Sequence, residues 1–100
     1  MDVLFHRLAR QEYHSARRWY RRHGESVESG FIQAIDDVVV RIRSNPKLGT
    51  RIKRNIRGMK AKRYPYLLYY EKLNEHQIEV YAVSHSRRRP EYWVRRRDRA

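Results

Sequence analysis

The chain has no cysteine among its 100 residues, which excludes disulfides and thiolate metal ligands. No apolar run approaches the roughly 20 residues that span a bilayer. The amino terminus, MDVLFHRLARQEYH, lacks the apolar stretch of a secretory signal. These absences lead to the expectation of a mature cytoplasmic protein with no membrane contact. Proline and glycine are scarce, at three and four, so their few positions work as punctuation. Acidic residues are scarce too: 11 stand against 24 Lys and Arg, for a formal charge of +13. The excess is uneven, +3 over residues 1–50 and +10 over residues 51–100. Such a field favours nucleic acid, an acidic protein or an anionic membrane surface, and it repels itself within the fold.

What remains is 40% hydrophobic, enough for one small core, and residues 1–100 read as one domain. Val3, Leu4 and Phe5 suggest a short first strand over residues 2–6. From residue 7 to 23 the period becomes helical, with Ala9, Tyr13, Ala16, Trp19 and Tyr20 on one stripe and most arginines elsewhere. Trp19 and Tyr20 read as packing between helices and sheet. Gly24 marks a stop. Ser26, or equally Ser29, is a candidate N-cap for a second helix with Val27, Phe31, Ala34, Ile35, Val38 and Ile42 inward. Asn45 ends it, because Pro46 pushes the preceding residue out of the helical region.

After Pro46 the apolar period changes to two. Residues 51–62 read as one bent or bulged strand. Two aromatic and β-branched runs follow, residues 64–71 and 77–83, separated by the polar turn 72–76, and they read as a β-hairpin. The expected fold is α+β: an N-terminal strand, an antiparallel helical hairpin, then a three-stranded antiparallel meander with the helices on one sheet face. Pro90 begins a short final helix or turn, and residues 95–100 are expected to fray. Alternation places Ile78, Val80, Ala82 and Ser84 in the core and Glu79, Tyr81, Val83 and His85 on the open face. The middle strand has tyrosines on both faces; the favoured assignment puts Leu67 and Tyr69 inward and Tyr66 and Tyr70 outward.

Arg87, Arg88 and Arg89 lie beside Tyr92 and Trp93 just past a strand end. Guanidinium groups bind carboxylate or phosphate bidentately and the rings stack, so this cluster reads as a docking surface; the alternative is a solvated terminus whose Trp93 covers a sheet edge. Lys53, Arg54, Arg57, Lys60, Lys62 and Arg63 either track a phosphate backbone, or receive an acidic partner segment, or are an ordinary solvated edge strand. His85 has the chemistry of a general acid or base. With no defined carboxylate partner, it reads as a hydrogen-bonding histidine at a strand end. No histidine spacing suggests a metal site. Asp36 and Asp37 diverge by about 100° on a helix and read as solvated. No Walker loop, dinucleotide fingerprint or nucleophile triad is present.

Taken in order, these segments resemble the RelE/ParE superfamily of toxins from type II toxin–antitoxin systems. The carriers are Ala16, Trp19 and Tyr20; Phe31 and Ile35; Ile42, Asn45 and Pro46; the run Tyr64-Pro65-Tyr66-Leu67-Leu68-Tyr69-Tyr70; and Ala82-Val83-Ser84-His85 leading to Arg88-Arg89-Pro90-Glu91-Tyr92-Trp93. The resemblance implies a toxin that either inhibits DNA gyrase or cleaves mRNA on the ribosome. In the ribonuclease pattern an arginine precedes the aliphatic pair and tyrosine of the middle strand; here that position holds Tyr66. The likeness is therefore nearer to the ParE-like, gyrase-inhibiting branch, which implies no catalytic residues and no cofactor. On the ribonuclease alternative the catalytic set would be Lys60, Arg63, His85, Arg88 and Tyr92. On the ParE-like reading Arg87, Arg88, Arg89, Tyr92 and Trp93 meet the target. Lys53, Arg54, Arg57, Lys60, Tyr66 and Tyr70 receive a cognate acidic antitoxin, in a toxin–antitoxin hetero-oligomer.

Overall fold

A computed structural model describes residues 1–97. Strand β1 (Asp2–Phe5) leads into helix α1 (Arg7–Arg21), which is capped when the His6 Nδ1 accepts the Leu8 N–H at 3.1 Å. Helix α2 (Glu25–Ser44) follows after a two-residue turn closed by Gly24. Gly24 has φ of 131°, a backbone conformation that side chains resist, and it is the N-cap itself. Neither Ser26 nor Ser29 caps α2; both lie inside the helix. Four strands come next: β2 (Thr50–Lys53), β3 (Ile56–Lys60), β4 (Tyr66–Asn74) and β5 (Gln77–His85). A helical turn, α3 (Val94–Arg97), closes the described chain.

The fold is α+β as expected, but the sheet carries four strands after the helices. The stretch 51–62 is a hairpin, with its turn at Arg54 and Asn55. Arg54 takes φ of 53° there, doing without glycine what glycine usually does. The sheet order is β1-β5-β4-β3-β2, with β1 parallel to β5 and all other neighbours antiparallel. Residues 95–97 belong to α3, where a frayed tail was expected; the rest of that expectation, residues 98–100, lies outside the described residues.

One β-bulge decides which side chain faces which layer. Tyr69 pairs with Ala82 but Tyr70 pairs with Val80, so Tyr81 is the extra residue in β5. Before the bulge, Ile78 and Val80 face the helices and Glu79 and Tyr81 face away, as alternation predicts. After it the phase slips by one. Val83 joins the helix-side core, Ala82 joins the opposite cluster, and His85 sits against Tyr66 on the helix side. In β4 the expected faces are reversed: Leu68 and Tyr70 are fully buried under the helices with Tyr66 beside them, while Tyr69 points to the other face and Leu67 shares its side.

Two clusters result. The larger is built on Phe31, Ile35, Val38 and Ile42 of α2, Ala9, Ala16 and Tyr20 of α1, and the inward residues of β3, β4 and β5. Tyr70 anchors its far end: its hydroxyl donates to the Pro46 carbonyl at 2.8 Å and accepts from the Gly49 N–H at 3.0 Å. A Cβ on Gly49 would meet that hydroxyl at 2.6 Å and the Gly58 carbonyl at 2.9 Å, so the turn needs glycine for close approach. Trp19, unlike Tyr20, is half exposed and stacks on His23 at 4.1 Å. The smaller cluster occupies the sheet face expected to be open: Ile56, Tyr81, Ala82 and Trp93, flanked by Tyr69 and Tyr92.

Candidate functional site

The carboxy-terminal arm, residues 86–97, leaves β5 and folds back across the sheet edge. Its start is fixed locally. Arg87 donates its backbone N–H to the His85 Nδ1 at 3.0 Å, and Arg88 donates to the His85 carbonyl at 2.9 Å. With Nδ1 accepting, the neutral His85 ring keeps its proton on Nε2. Pro90 and Glu91, the latter with φ of 61°, turn the chain sharply. Tyr92 then falls toward α1, and Trp93 inserts beneath the arm, fully buried and stacked on Tyr69 at a centroid distance of 4.7 Å.

The centre of the arm's attachment is Glu12 of α1, whose side chain is 14% exposed. Its Oε2 accepts from the Tyr92 hydroxyl at 2.7 Å. The Arg96 guanidinium straddles the carboxylate, with Nη1 to Oε1 and Nη2 to Oε2 both at 2.9 Å. The Val83 N–H donates to Oε1 at 3.0 Å, and Arg88 lies 3.8 Å away while covering the Tyr92 ring at 3.9 Å. Burial, opposed by a hydrogen bond with Ser84 and reinforced by Glu12, pushes the Tyr92 phenol up to about 12. A second ion pair ties the arm's end to the smaller cluster. Arg97 grips Glu71 at 2.9 and 3.2 Å, and Glu71 accepts the Tyr81 hydroxyl at 2.8 Å. Burial, then Glu71, raises the Tyr81 phenol far above its ordinary value. This places a counter-ion on Glu71, which directly opposes Glu79 across β4 and β5.

The expected docking residues therefore divide. Arg87, Arg88 and Arg89 are exposed and Tyr92 is half-buried under Arg88, but Trp93 is interior and holds the arm from below. The expected antitoxin set also divides. Tyr70 is fully buried and Tyr66 faces α1 and α2, so neither is an outward tyrosine. Arg57 pairs with Tyr70 and bonds the Gly49 carbonyl at 2.9 Å, while Lys60 pairs with Leu67 on the opposite face. Lys53 reaches the arm, 3.2 Å from Glu91. Arg54 and Arg63 occupy turns, Arg63 with φ of 70°. Glu12, Glu71, Arg96 and Arg97 were missed by sequence reasoning. An acidic residue amid the arginines of α1 was the one available signal.

A groove of about 800 Å³ opens between α1 and the ends of β4 and β5. Trp19, Tyr20 and Tyr66 form an apolar wall, and Glu12, His85 and Arg88 line its polar end. Among the described residues no cluster of His, Asp and Glu is arranged to hold a metal ion. No helix among them is long and apolar enough to cross a membrane.

A helical hairpin on one sheet face, with a basic arm leaving the last strand, is the arrangement that the apolar periods and the arginine cluster led one to expect. The family model for the ParE toxin of the type II toxin–antitoxin system, parDE, matches residues 3–90. The chain belongs to this family. No curated protein matches it. Membership makes it the toxin of a type II pair and implies a cognate antitoxin as partner. The match stops at Pro90, short of Trp93 and Arg96.

Proposed function

We propose that this ParE-family toxin arrests growth by inhibiting DNA gyrase in the cytoplasm, without chemistry of its own and without a cofactor. Arg87, Arg88 and Arg89, with the half-buried Tyr92, are its docking face, and Trp93 is the anchor that holds this face in place. One observation supports this choice over mRNA cleavage: the groups a ribonuclease would need are split, with His85, Arg88 and Tyr92 gathered at one groove and Lys60 on the opposite sheet face. Lys60 shares the arm-covered face of the sheet with Leu67, His85 lies on the helix side against Tyr66, and Arg63 sits in a turn. The Tyr92 hydroxyl is committed to Glu12 and its phenol is pushed to about 12, poorly matched to proton transfer near neutrality. General acid–base work needs such groups within hydrogen-bond reach of one reacting phosphate.

The cognate antitoxin, on this reading, brings an acidic segment to the basic half of the chain, including Lys53, Arg54, Arg57 and Lys60, in a toxin–antitoxin hetero-oligomer. Association should slow as salt rises. The deciding experiment runs gyrase supercoiling and ribosome-bound mRNA cleavage side by side with the purified toxin. Inhibited supercoiling, abolished by alanine at Arg87, Arg88 and Arg89, is the expected result. Codon-positioned cleavage lost on His85→Gln or Tyr92→Phe, with supercoiling untouched, would assign the protein to the ribonucleases.

A further inference from the structure

Strand β1 covers only the first half of the β5 edge. Asp2–Phe5 pair with residues 77–80, and the last backbone bond runs from His6 N–H to the Val80 carbonyl at 2.9 Å. Beyond the bulge at Tyr81, two backbone groups on that edge have side-chain partners. The Arg96 Nη1 donates to the Tyr81 carbonyl at 2.9 Å, and the Glu12 Oε1 accepts the Val83 N–H at 3.0 Å. The Glu12–Arg96 pair thus stands where a neighbouring strand would stand, supplying one donor and one acceptor to an edge that would otherwise invite another chain. The same carboxylate holds the Tyr92 hydroxyl and lies 3.8 Å from Arg88. One side chain on α1 thereby fixes both ends of the segment that carries the exposed arginines.

We infer that Glu12 is the positioning residue of the arm, and that its negative charge, beyond its shape, sets where Arg87, Arg88 and Arg89 are displayed. The charge matters because three cationic or acidic-hydrogen groups converge on it: Arg96, Arg88 and the Tyr92 phenol. Replacing the carboxylate by an amide keeps an acceptor for Val83 but leaves the largely buried Arg96 guanidinium without its counter-ion, and the exposed Arg88 without its anionic neighbour. The arm then has reason to leave. The inference rests on the docking role proposed above for its consequence in growth arrest, and on geometry alone for the ordering of the arm.

The test uses the full chain with Glu12→Gln, and Arg96→Lys as a second variant in case the first folds poorly. Four readouts are taken: ultraviolet titration of the phenols, with Tyr92→Phe to assign the Tyr92 step; the rate of trypsin cleavage after Arg87 and Arg88; helical circular dichroism; and growth arrest on expression. For Glu12→Gln we expect the Tyr92 step to move down from about 12, arm cleavage to quicken roughly tenfold, and growth arrest to weaken, while helical circular dichroism is retained. Arg96→Lys should do the same in lesser degree, since a lysine cannot straddle the carboxylate. A Glu12→Gln protein whose Tyr92 titration and cleavage rate match the parent would overturn the inference. So would one whose arm is loosened yet which arrests growth as the parent does. Failure of the docking reading itself looks different: alanine at Arg87, Arg88 and Arg89 would then leave growth arrest intact, and the titration and cleavage readouts would still decide the role of Glu12.

Discussion

The two faces of the sheet are held by different physics. On one face, the helical hairpin lays a continuous apolar stripe on the sheet, and four rings surround Phe31 at centroid distances of 5.0 to 5.8 Å. On the other, a single arm covers a small cluster with one buried indole and two ion pairs, Arg96 with Glu12 and Arg97 with Glu71. Burial of apolar area is non-directional and cumulative, so the hairpin face tolerates drift of individual contacts. Buried ion pairs depend on geometry and on both partners being charged. The arm, with so little apolar area behind its ion pairs, is therefore the face that a binding partner is best able to move, and it carries the exposed Arg87, Arg88 and Arg89.

The contrast breaks most sharply in the core. Phe31→Ala should cost about 3–5 kcal/mol, enough to unfold much of a small domain, as seen by urea denaturation followed by circular dichroism. Trp93→Ala removes an equally buried ring, yet it should cost only about 3 kcal/mol, the low end for such a change. The arm has no further apolar layer behind it and detaches without opening the hairpin. The variant should keep a cooperative helical melt while trypsin cleaves after Arg87 and Arg88. A Trp93→Ala protein as unstable as Phe31→Ala would mean that the two clusters are one core.

The faces should also fail at opposite ends of the pH scale. On the hairpin side, the Arg21 hydrogen bond, with help from Arg17, holds the Glu28 carboxyl below its ordinary 4.5. A depressed carboxyl contributes stability that is present above 4.5 and is lost as pH falls through the folded value. Acid should loosen the clasp between α1 and α2, and Glu28→Gln should flatten that loss. On the arm side, the Tyr92 phenol is raised from 10.0 to about 12. A raised phenol contributes stability that is complete below 10.0 and is lost as pH climbs toward 12. Alkali should therefore release the arm before the helices melt, and Tyr92→Phe should remove part of that dependence. Trypsin sensitivity measured across both ranges checks the pair.

The hairpin face was legible in the sequence because its signal is periodic. Ala9, Ala16 and Tyr20, and then Phe31, Ile35, Val38 and Ile42, repeat at helical spacing, and Asn45-Pro46 ends the pattern. The arm face was not legible, for three local reasons. Tyr81 is an inserted residue, and one insertion reverses every later side chain in β5, which carried His85 to the helix side. In β4, tyrosines on both faces erased the alternation that would have set the phase of Tyr66 and Tyr70. Arg54 turns β2 into β3 with positive φ but no glycine to announce it. The site suffered similarly. Glu12 bonds Val83, Tyr92 and Arg96, all 71 to 84 residues away, and its place as an acidic residue amid the arginines of α1 does not by itself name those partners. The arginine triplet was recognisable as a basic cluster because charge is a local property. The burial of Trp93 is a tertiary one.

The smallest expected effect lies at a contact between the arm and β2. Lys53 sits 3.2 Å from Glu91, each side chain about half exposed. Solvent screening on both sides limits such a pair to about 0.2–1 kcal/mol. A double-mutant cycle with Lys53→Ala and Glu91→Ala should return a coupling in that range in dilute buffer. It should fade when the salt is raised several-fold and the Debye length falls well below its value of about 10 Å at 0.1 M. The Arg96–Glu12 pair, with side chains 11% and 14% exposed, should keep its coupling under the same change of salt. If the Lys53–Glu91 coupling were instead large and indifferent to salt, the arm would be clamped at both edges of the sheet. Glu12 alone would then not determine where the arginines are held.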